Sequence, residues 1–290
     1  MARSPLAAAL LLAAVVVSWG AIPLIVRGDV PWQQLVAARV WLGAITLLTM
    51  LAIQGRLRLP TRHRRRIAVS GVILAAHWSS FFLALTETTV AIALAVLYLG
   101  PVLASAVAPR VLGERPERQV YVGLALALVG VLLVVRPSGE TSALGLAAAV
   151  FSGLTLALLM LVAKPAASAL GGLVVATGEL TIASVVMAPW ALQAVQESLE
   201  FWPQLVILGT VLTGIAGWIF WAAMRQLPVA FVSVIMYLEP ASAIVWALLF
   251  LDETPDALAW AGIALVLSGG VLAGLSATRT EEEIGVAAAL

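Results

Sequence analysis

The sequence predicts an all-α membrane protein of ten transmembrane helices, built as two inverted five-helix repeats around a central cavity. First, 62% of the residues are hydrophobic and 11% are charged, whereas soluble domains have about 45–50% and about 25%; the mean hydropathy is +1.08. Second, apolar runs long enough to cross a bilayer core recur along the chain. Third, the second half repeats the residue pattern of the first.

Each predicted span is an apolar run of about 20 residues between polar breaks. The opening run resembles a secretory signal, because Arg3 precedes an apolar stretch with small residues near Ala21. It continues through Ile25, so we interpret it as a transmembrane helix that is retained. The spans are predicted at about 6–26, 31–53, 67–86, 89–109, 119–135, 143–163, 171–192, 204–224, 229–251 and 257–277.

Positive charge predicts the orientation of the chain, because cytoplasmic loops carry an excess of Lys and Arg. One side holds only Arg27 and Arg136. The termini and even-numbered connections hold the others: Arg3, the arginines of 56–66, Arg110, Arg115, Arg118, Lys164, Arg225 and Arg279. We therefore predict a multi-pass protein of the cytoplasmic (inner) membrane with both termini in the cytoplasm. The 56–66 cluster is interpreted as an orientation anchor touching anionic lipid, not as a nucleic-acid site.

An internal repeat appears when the chain is shifted by 139 residues. In both copies Tyr-Leu-x-Pro is followed by a glutamate thirteen residues after the proline, then by a proline and a glycine-punctuated helix. Each copy spans five helices, an odd number, so the second is inserted upside down, as in many secondary transporters. The predicted units are residues 1–137, residues 138–280 and a C-terminal tail, 281–290. The matched pairs are Tyr98 with Tyr237, Pro101 with Pro240, Glu114 with Glu253, Gly123 with Gly262 and Gly130 with Gly269.

These motifs resemble those of the EamA family of the drug/metabolite transporter superfamily. The resemblance covers nearly the whole chain and is sharpest at 78–135 and 217–274. Within the family, the opening helix with Ser18-Trp19 is most similar to bacterial YddG-type aromatic amino acid exporters. This resemblance implies a ten-helix basket around a central cavity, with the fifth and tenth helices at the periphery.

Several function classes have no support in the sequence. Cysteine is absent and only two histidines occur, so we expect neither a metal site nor a cofactor. The motifs of intramembrane proteases and the phosphate-binding Walker A segment are also missing. We therefore predict neither an enzyme nor an ATPase, and a passive scaffold would account for neither the repeat nor the charges within the spans.

Four ionisable side chains lie within predicted spans, where a charge is costly and usually functional: Arg39, His77, Glu179 and Glu239. Arg39 and Glu179 are equivalent in the repeat at a shift of 140, so they are possible charge partners, or they bind helix ends or phosphate headgroups. Glu239 has three open interpretations: it binds a substrate ammonium group, it cycles a proton, or it pairs with Arg39.

The two repeated prolines are expected to kink their helices. Pro101 and Pro240 cannot donate to the carbonyls of Leu97 and Met236. Freed carbonyls within a membrane need protein or a water-filled cavity around them. We therefore expect these faces, with the hydroxyls of Tyr98 and Tyr237, to line the cavity.

Polar and aromatic residues complete the predicted cavity. Helical spacing places His77, Ser80 and Phe81 on one face; the alternative for His77 is a hydrogen bond to a neighbouring helix. Of the ten tryptophans, those near span ends are assigned to the membrane interface: Trp32, Trp190, Trp202 and Trp260. Packing between helices is the alternative for each deeper one; as cavity walls we predict Trp19, Trp78, Trp218 and Trp221.

These features together predict a secondary transporter that works by alternating access. Its predicted cargo is amino acids, aromatic ones included, moved outwards; the alternative is an efflux carrier for cationic drugs or other small metabolites, which would use the same rings. Gly270-x-x-x-Gly274 is a weak dimer motif, so a monomer is expected and a dimer stays open. The predicted partners are small molecules and the lipid bilayer.

Overall fold

A computed structural model describes residues 4–22, 31–57, 61, 63–136, 142–197, 201–251 and 255–289. These ranges are mostly helical. Glu253 and Arg27 lie outside them. The helices are α1 Pro5–Trp19, α2 Trp32–Ile53, α3 Arg64–Glu87, α4 Val90–Leu97, α5 Leu99–Leu112, α6 Arg118–Val135, α7 Ala143–Leu170, α8 Gly172–Val186, α9 Ala188–Glu197, α10 Trp202–Val206, a π-helical segment Ile207–Ile215, α11 Ala216–Met224, α12 Val229–Met236, α13 Leu238–Leu251 and α14 Ala257–Ala289.

The chain is a multi-pass membrane protein. Among the described residues, seven helical stretches are long and apolar enough to cross a bilayer, and three further apolar helices are shorter: Pro5–Trp19, Gly172–Val186 and Ala257–Ala273. Each shorter helix lies within a predicted span, and the first predicted span continues beyond the described residues. The number ten therefore stays a prediction.

The structure adds detail to two of the predicted segments. The predicted span 171–192 is interrupted at Met187, where α8 ends and α9 begins. Pro189 explains the break, because a proline is accommodated in the first turn of a helix but not in its interior. The predicted tail 281–290 is helical through Ala289, and its glutamates and alanines have high helix propensity.

The fourth and ninth predicted spans are each broken at a tyrosine. α4 gives way to α5 at Tyr98, and α12 gives way to α13 at Tyr237. Each tyrosine lies three residues before the repeated proline, whose ring excludes the carbonyl four residues back from the helical ladder. The sequence predicted the kinks, and the structure places each break one turn before its proline.

Helices α6 and α14 cross at glycines. A Cβ atom on Gly123 would lie 2.5 Å from the carbonyl oxygen of Gly269, and one on Gly130 would lie 2.6 Å from that of Gly262. Exchanging each residue for its counterpart 139 positions away converts the first contact into the second. Only glycine allows the two backbones to approach this closely.

Two other close contacts place the charged residues Arg39 and Glu179 in equivalent surroundings. A Cβ atom on Gly71 in α3 would lie 2.8 Å from the carbonyl oxygen of Glu179 in α8. One on Gly209, in the π-helical segment, would lie 3.3 Å from the carbonyl oxygen of Arg39 in α2. Each charged residue therefore lies where its helix backbone packs against a glycine of the neighbouring helix.

We call the end of the bundle at residues 110–118 and 225–228 the basic end. There the Glu114 carboxylate forms an ion pair with the Lys164 ammonium group and accepts a 2.7 Å hydrogen bond from the Val229 amide. Lys164 also donates to the carbonyl oxygen of Leu227. Both charged side chains are only 12% exposed. We call these four residues the basic-end latch, because they join α5, α7 and α12.

The opposite end has an exposed ion pair. Arg136, at the end of α6, donates to Asp256 at 2.6 Å and 3.0 Å. Asp256 also accepts from the Ala259 amide in the first turn of α14. Hydrogen bonding from Arg136 holds the pKa of the Asp256 carboxyl below its usual range. This solvent-screened pair fixes the start of α14 beside the end of α6.

Candidate substrate cavity

A cavity of about 370 Å³ lies within the bundle, a size within the usual range of small-molecule sites. Helices from both halves of the chain form its walls, and most of the lining is apolar. Its lining residues are Trp19, Gly20, Ile22, Arg39, Leu74, His77, Trp78, Phe81, Phe82, Leu85, Val90, Leu94, Leu97, Tyr98, Leu156, Leu159, Ala176, Glu179, Leu180, Leu212, Thr213, Gly217, Phe220, Trp221, Met236, Glu239, Pro240 and Ala243.

The structure brings most of the predicted site residues together at this cavity. They are far apart in the chain and come from six helices and from the break between α4 and α5. Those that line it are Trp19, Arg39, His77, Trp78, Phe81, Tyr98, Glu179, Trp221, Glu239 and Pro240.

Four predicted cavity residues do not line it: Ser80, Pro101, Trp218 and Tyr237. The Ser80 hydroxyl donates to the carbonyls of Ala76 and His77 within its own helix. Trp218 packs against the hydrophobic core. Helical spacing cannot separate these positions from the cavity wall, because it shows only that residues share a face.

Pro101 and Tyr237 are buried at the contact between the two broken spans. The carbonyl oxygen of Pro101 accepts hydrogen bonds from Ser105 at 2.7 Å and from Ser233 at 3.0 Å. The Tyr237 side chain is fully buried, and its hydroxyl donates to the carbonyl oxygen of Tyr98 at 2.8 Å. These two residues hold the helices that carry the cavity instead of facing it.

Arg39 projects into the cavity over an aromatic ring. Its guanidinium carbon lies 4.0 Å from the centre of the Trp78 ring and 5.7 Å from that of Phe82. Its Nε donates to the Thr213 hydroxyl at 3.1 Å. Cation–π contact and this hydrogen bond fix the plane of the guanidinium.

The possible charge pair between Arg39 and Glu179 is absent from the ion pairs of the described residues. Among the described residues, the ion pairs are Arg136–Asp256 and Lys164–Glu114 alone. Glu179 is 1% exposed, with Ser70 and Trp221 beside its carboxylate, and its Oε1 accepts no hydrogen bond from the described part of the chain. Arg39 contacts Trp78 and Thr213 instead.

Glu239 lies at the broken helix α13 and has no ion pair with Arg39 either. Its carboxylate lies beside the Tyr98 hydroxyl and interacts electrostatically with Arg39. The side chain is partly exposed and lines the cavity. The carboxylate therefore faces the same space as the guanidinium without closing onto it.

His77 is tied to helix α7. Its Nδ1 lies 3.0 Å from both the carbonyl oxygen and the hydroxyl of Ser152, and the Ser152 hydroxyl also lies 3.1 Å from the His77 carbonyl oxygen. The ring lines the cavity, and its Nδ1 is already hydrogen-bonded to Ser152. This geometry supports a structural role for His77 together with its place in the wall.

Aromatic rings form much of the cavity wall. Phe220 lies between Trp19 and Trp221, with ring centres 5.9 Å and 5.1 Å apart, and Phe81 contacts Phe82 at 5.6 Å. The Trp19 indole donates to the carbonyl oxygen of Leu212 at 2.8 Å, so this tryptophan packs between helices as well as facing the cavity.

Sequence reasoning missed several wall residues, notably Thr213, Phe82 and Phe220. Phe220 lies between Trp218 and Trp221, both predicted to line the cavity, so this run of aromatic residues could have indicated it. Thr213 gave none, because its importance depends on contact with Arg39, 174 residues away in the chain.

The cavity extends towards one end of the bundle. From Tyr98, Glu179 and Glu239 its lining runs to Leu85 and Val90, at the α3–α4 connection opposite the basic end. Among the residues that the structure describes, none of the basic-end latch lines it. The latch therefore lies outside the cavity lining, at the basic end.

A multi-pass helical protein with an aromatic-walled cavity that contains separated charges is typical of a membrane transporter. Residues 6–136 and 143–275 each match the EamA-like transporter family. The chain belongs to this family, and it is a transporter of small molecules rather than an enzyme.

Named relatives share less than 30% sequence identity with this chain but match over most of its length. The pseudopaline exporter CntI of Pseudomonas aeruginosa (strain UCBPP-PA14) is 27% identical over 261 residues, covering 87% of this chain and 88% of the relative. The threonine/homoserine exporter RhtA of Escherichia coli (strain K12) is 29% identical over 222 residues, covering 75% of this chain and 73% of the relative. These relatives do not specifically support the narrower YddG-type resemblance.

A solved crystal structure has the same fold. It superposes with a TM-score of 0.81 at 22% sequence identity, over 96% of this chain and 100% of that chain. At this identity the likeness concerns the fold alone.

Proposed function

We propose that this transporter exports amino acids, aromatic ones included, across the cytoplasmic membrane. The observation that carries the proposal is the cavity, in which a guanidinium and a carboxylate face the same space between aromatic rings without pairing. An amino acid supplies one group of each charge and a side chain for the rings. Its bound form would neutralise both costly charges at once.

The name of one relative supports this class of cargo. RhtA is a threonine/homoserine exporter, and CntI is an exporter of pseudopaline. Both names give the outward direction. The aromatic wall of this cavity favours a flat, apolar side chain in addition.

We propose that the two halves, residues 1–137 and 138–280, rock around the cavity by alternating access. Contacts that interconvert under the 139-residue exchange support an inverted relationship between the halves. The excess of positive charge at the basic end supports placing that end in the cytoplasm. In this orientation the basic-end latch closes the cytoplasmic side, and the cavity extends towards the outside.

A second candidate function is efflux of cationic drugs. The aromatic rings and the Glu239 carboxylate favour it, because a cation needs only rings and an anion. Arg39 disfavours it, since its charge would repel a cation that carries no carboxylate.

Counterflow into proteoliposomes of purified protein tests the proposal, with labelled L-tryptophan, L-threonine and a quaternary ammonium dye as probes. We expect counterflow of the amino acids that depends on protein and saturates. Transport of the dye without either amino acid would overturn the amino-acid proposal. Repeating the assay at several imposed pH gradients measures proton coupling.

A further inference from the structure

We infer that Arg39 binds the carboxylate group of the substrate and thereby makes the cavity selective for zwitterions over amines of the same shape. The inference rests on the proposed function and assigns the substrate carboxylate to the Arg39 guanidinium. Residues 39 and 239 then have separate roles, one at each charged end of an amino acid.

The guanidinium is held in a way that leaves its carboxylate-binding edge available. Its Nε donates to Thr213 and its face covers Trp78. Within the described ranges, neither terminal amino group donates to a protein acceptor, and Arg39 lines the cavity. Two parallel N–H groups of a guanidinium match the two oxygens of a carboxylate.

The Glu239 carboxylate lines the same cavity as Arg39 without pairing with it. Arg39 and Glu239 influence each other electrostatically, but they form no ion pair within 4.0 Å among the described residues. Within a membrane, two opposite charges in direct contact have a lower free energy than the same two charges left unpaired. Both groups line the cavity unpaired, so a bound molecule that carries the complementary charges can neutralise both.

Glu179 is a less suitable partner for the ammonium group. It is 1% exposed, whereas the Glu239 side chain is partly exposed. Arg39 and Glu239 are thus the two charged residues best placed to bind the carboxylate and the ammonium group of one substrate.

Three indole compounds separate the two charged ends. L-tryptophan has both charges, tryptamine lacks the carboxylate and indole-3-propionate lacks the amine. Their binding is measured directly, by scintillation proximity with the tritiated compounds on purified detergent-solubilised protein. Direct binding avoids errors from passive permeation of the amine and the acid through liposomes.

We expect the wild type to bind L-tryptophan at least about tenfold more tightly than either analogue, because each charge-assisted contact contributes about that factor or more. Arg39→Gln should weaken L-tryptophan binding roughly 10- to 100-fold and leave tryptamine binding unchanged or tighter. Glu239→Gln should show the opposite selectivity, weakening L-tryptophan and tryptamine but not indole-3-propionate. Thr213→Val should give a smaller version of the Arg39→Gln pattern, since it removes only the positioning hydrogen bond.

Arg110→Gln is the matched control, because Arg110 is an exposed arginine at the basic end. Retained tryptamine binding shows that Arg39→Gln is folded. Equal weakening of L-tryptophan and tryptamine by Arg39→Gln, or no weakening of L-tryptophan, would overturn the inference while leaving the proposed function intact. A wild type that binds and transports no amino acid would overturn the proposed function, and the inference with it.

Discussion

The hydroxyl of Tyr237 donates a 2.8 Å hydrogen bond to the carbonyl oxygen of Tyr98, its counterpart in the other half of the chain. The two rings lie 5.4 Å apart, and each tyrosine is the point where its membrane helix is broken. Tyr98 also neighbours Glu239. One contact between repeats therefore joins both helix breaks to the charged part of the cavity.

Removing this hydrogen bond should destabilise the protein. Tyr237→Phe keeps the ring but leaves the Tyr98 carbonyl without its side-chain donor, and we expect a loss of about 0.6–2 kcal/mol. The measurement is the thermal midpoint of detergent-solubilised protein. Tyr121→Phe is the control, because Tyr121 is 36% exposed. Equal midpoints for the two variants would contradict a role for the hydroxyl.

Glu239→Gln should abolish counterflow of amino acids into proteoliposomes while the protein stays folded. The amide keeps the shape of the side chain but cannot supply the negative charge that an ammonium group or a carried proton needs. Counterflow of L-tryptophan is measured from about pH 5 to 8, the range in which perturbed carboxyls titrate. Transport that equals the wild type at every pH would remove both functional roles of Glu239.

Disrupting the basic-end latch should open the cavity towards the basic end. Lys164→Met leaves Glu114 without its ion pair and Leu227 without its donor, so the latched state loses stability relative to the opposite one. The chain has no cysteine, so Leu94→Cys, at a position that lines the cavity, provides a single thiol. In proteoliposomes of one orientation, a membrane-impermeant thiol reagent is applied from the end opposite the latch.

We expect labelling of the single thiol to slow when Lys164→Met is added, because fewer molecules expose the cavity at the labelled end. The control is Arg110→Gln in the same background, which changes a basic-end charge outside the latch. Unchanged labelling, or faster labelling, would show that the latch does not hold this state.

Gly130→Ala should weaken the crossing of α6 and α14. The added Cβ would lie 2.6 Å from the carbonyl oxygen of Gly262, so the backbones must separate, at a cost of about 1–3 kcal/mol. Gly270→Ala is the matched control, because nothing lies within 4 Å of the Cβ that it would add. Thermal midpoints that fall equally in both variants would contradict the close-packing explanation.

Much of the site was predictable because its residue types are exceptional within a membrane. A charge such as Arg39, Glu179 or Glu239 in an apolar run is costly, so its position alone indicates function. Tyr98 and Tyr237 were identifiable because an identical motif occurs twice. Ser80 and Trp218 are predicted at the cavity but are absent from its lining, because serine and tryptophan also satisfy structural needs, in a helix or in the core.

By itself the sequence determined the membrane class, the repeat and the residues that break two helices, because these follow from local properties: hydrophobic length, residue identity and the missing amide of proline. Only the tertiary structure decided which charges pair. Lys164 meets Glu114, while Arg39 stacks on Trp78 and bonds to Thr213 instead of joining Glu179. Such choices depend on contacts between helices distant in the chain, where a difference of a few ångströms decides whether two charges neutralise each other or leave room for a substrate.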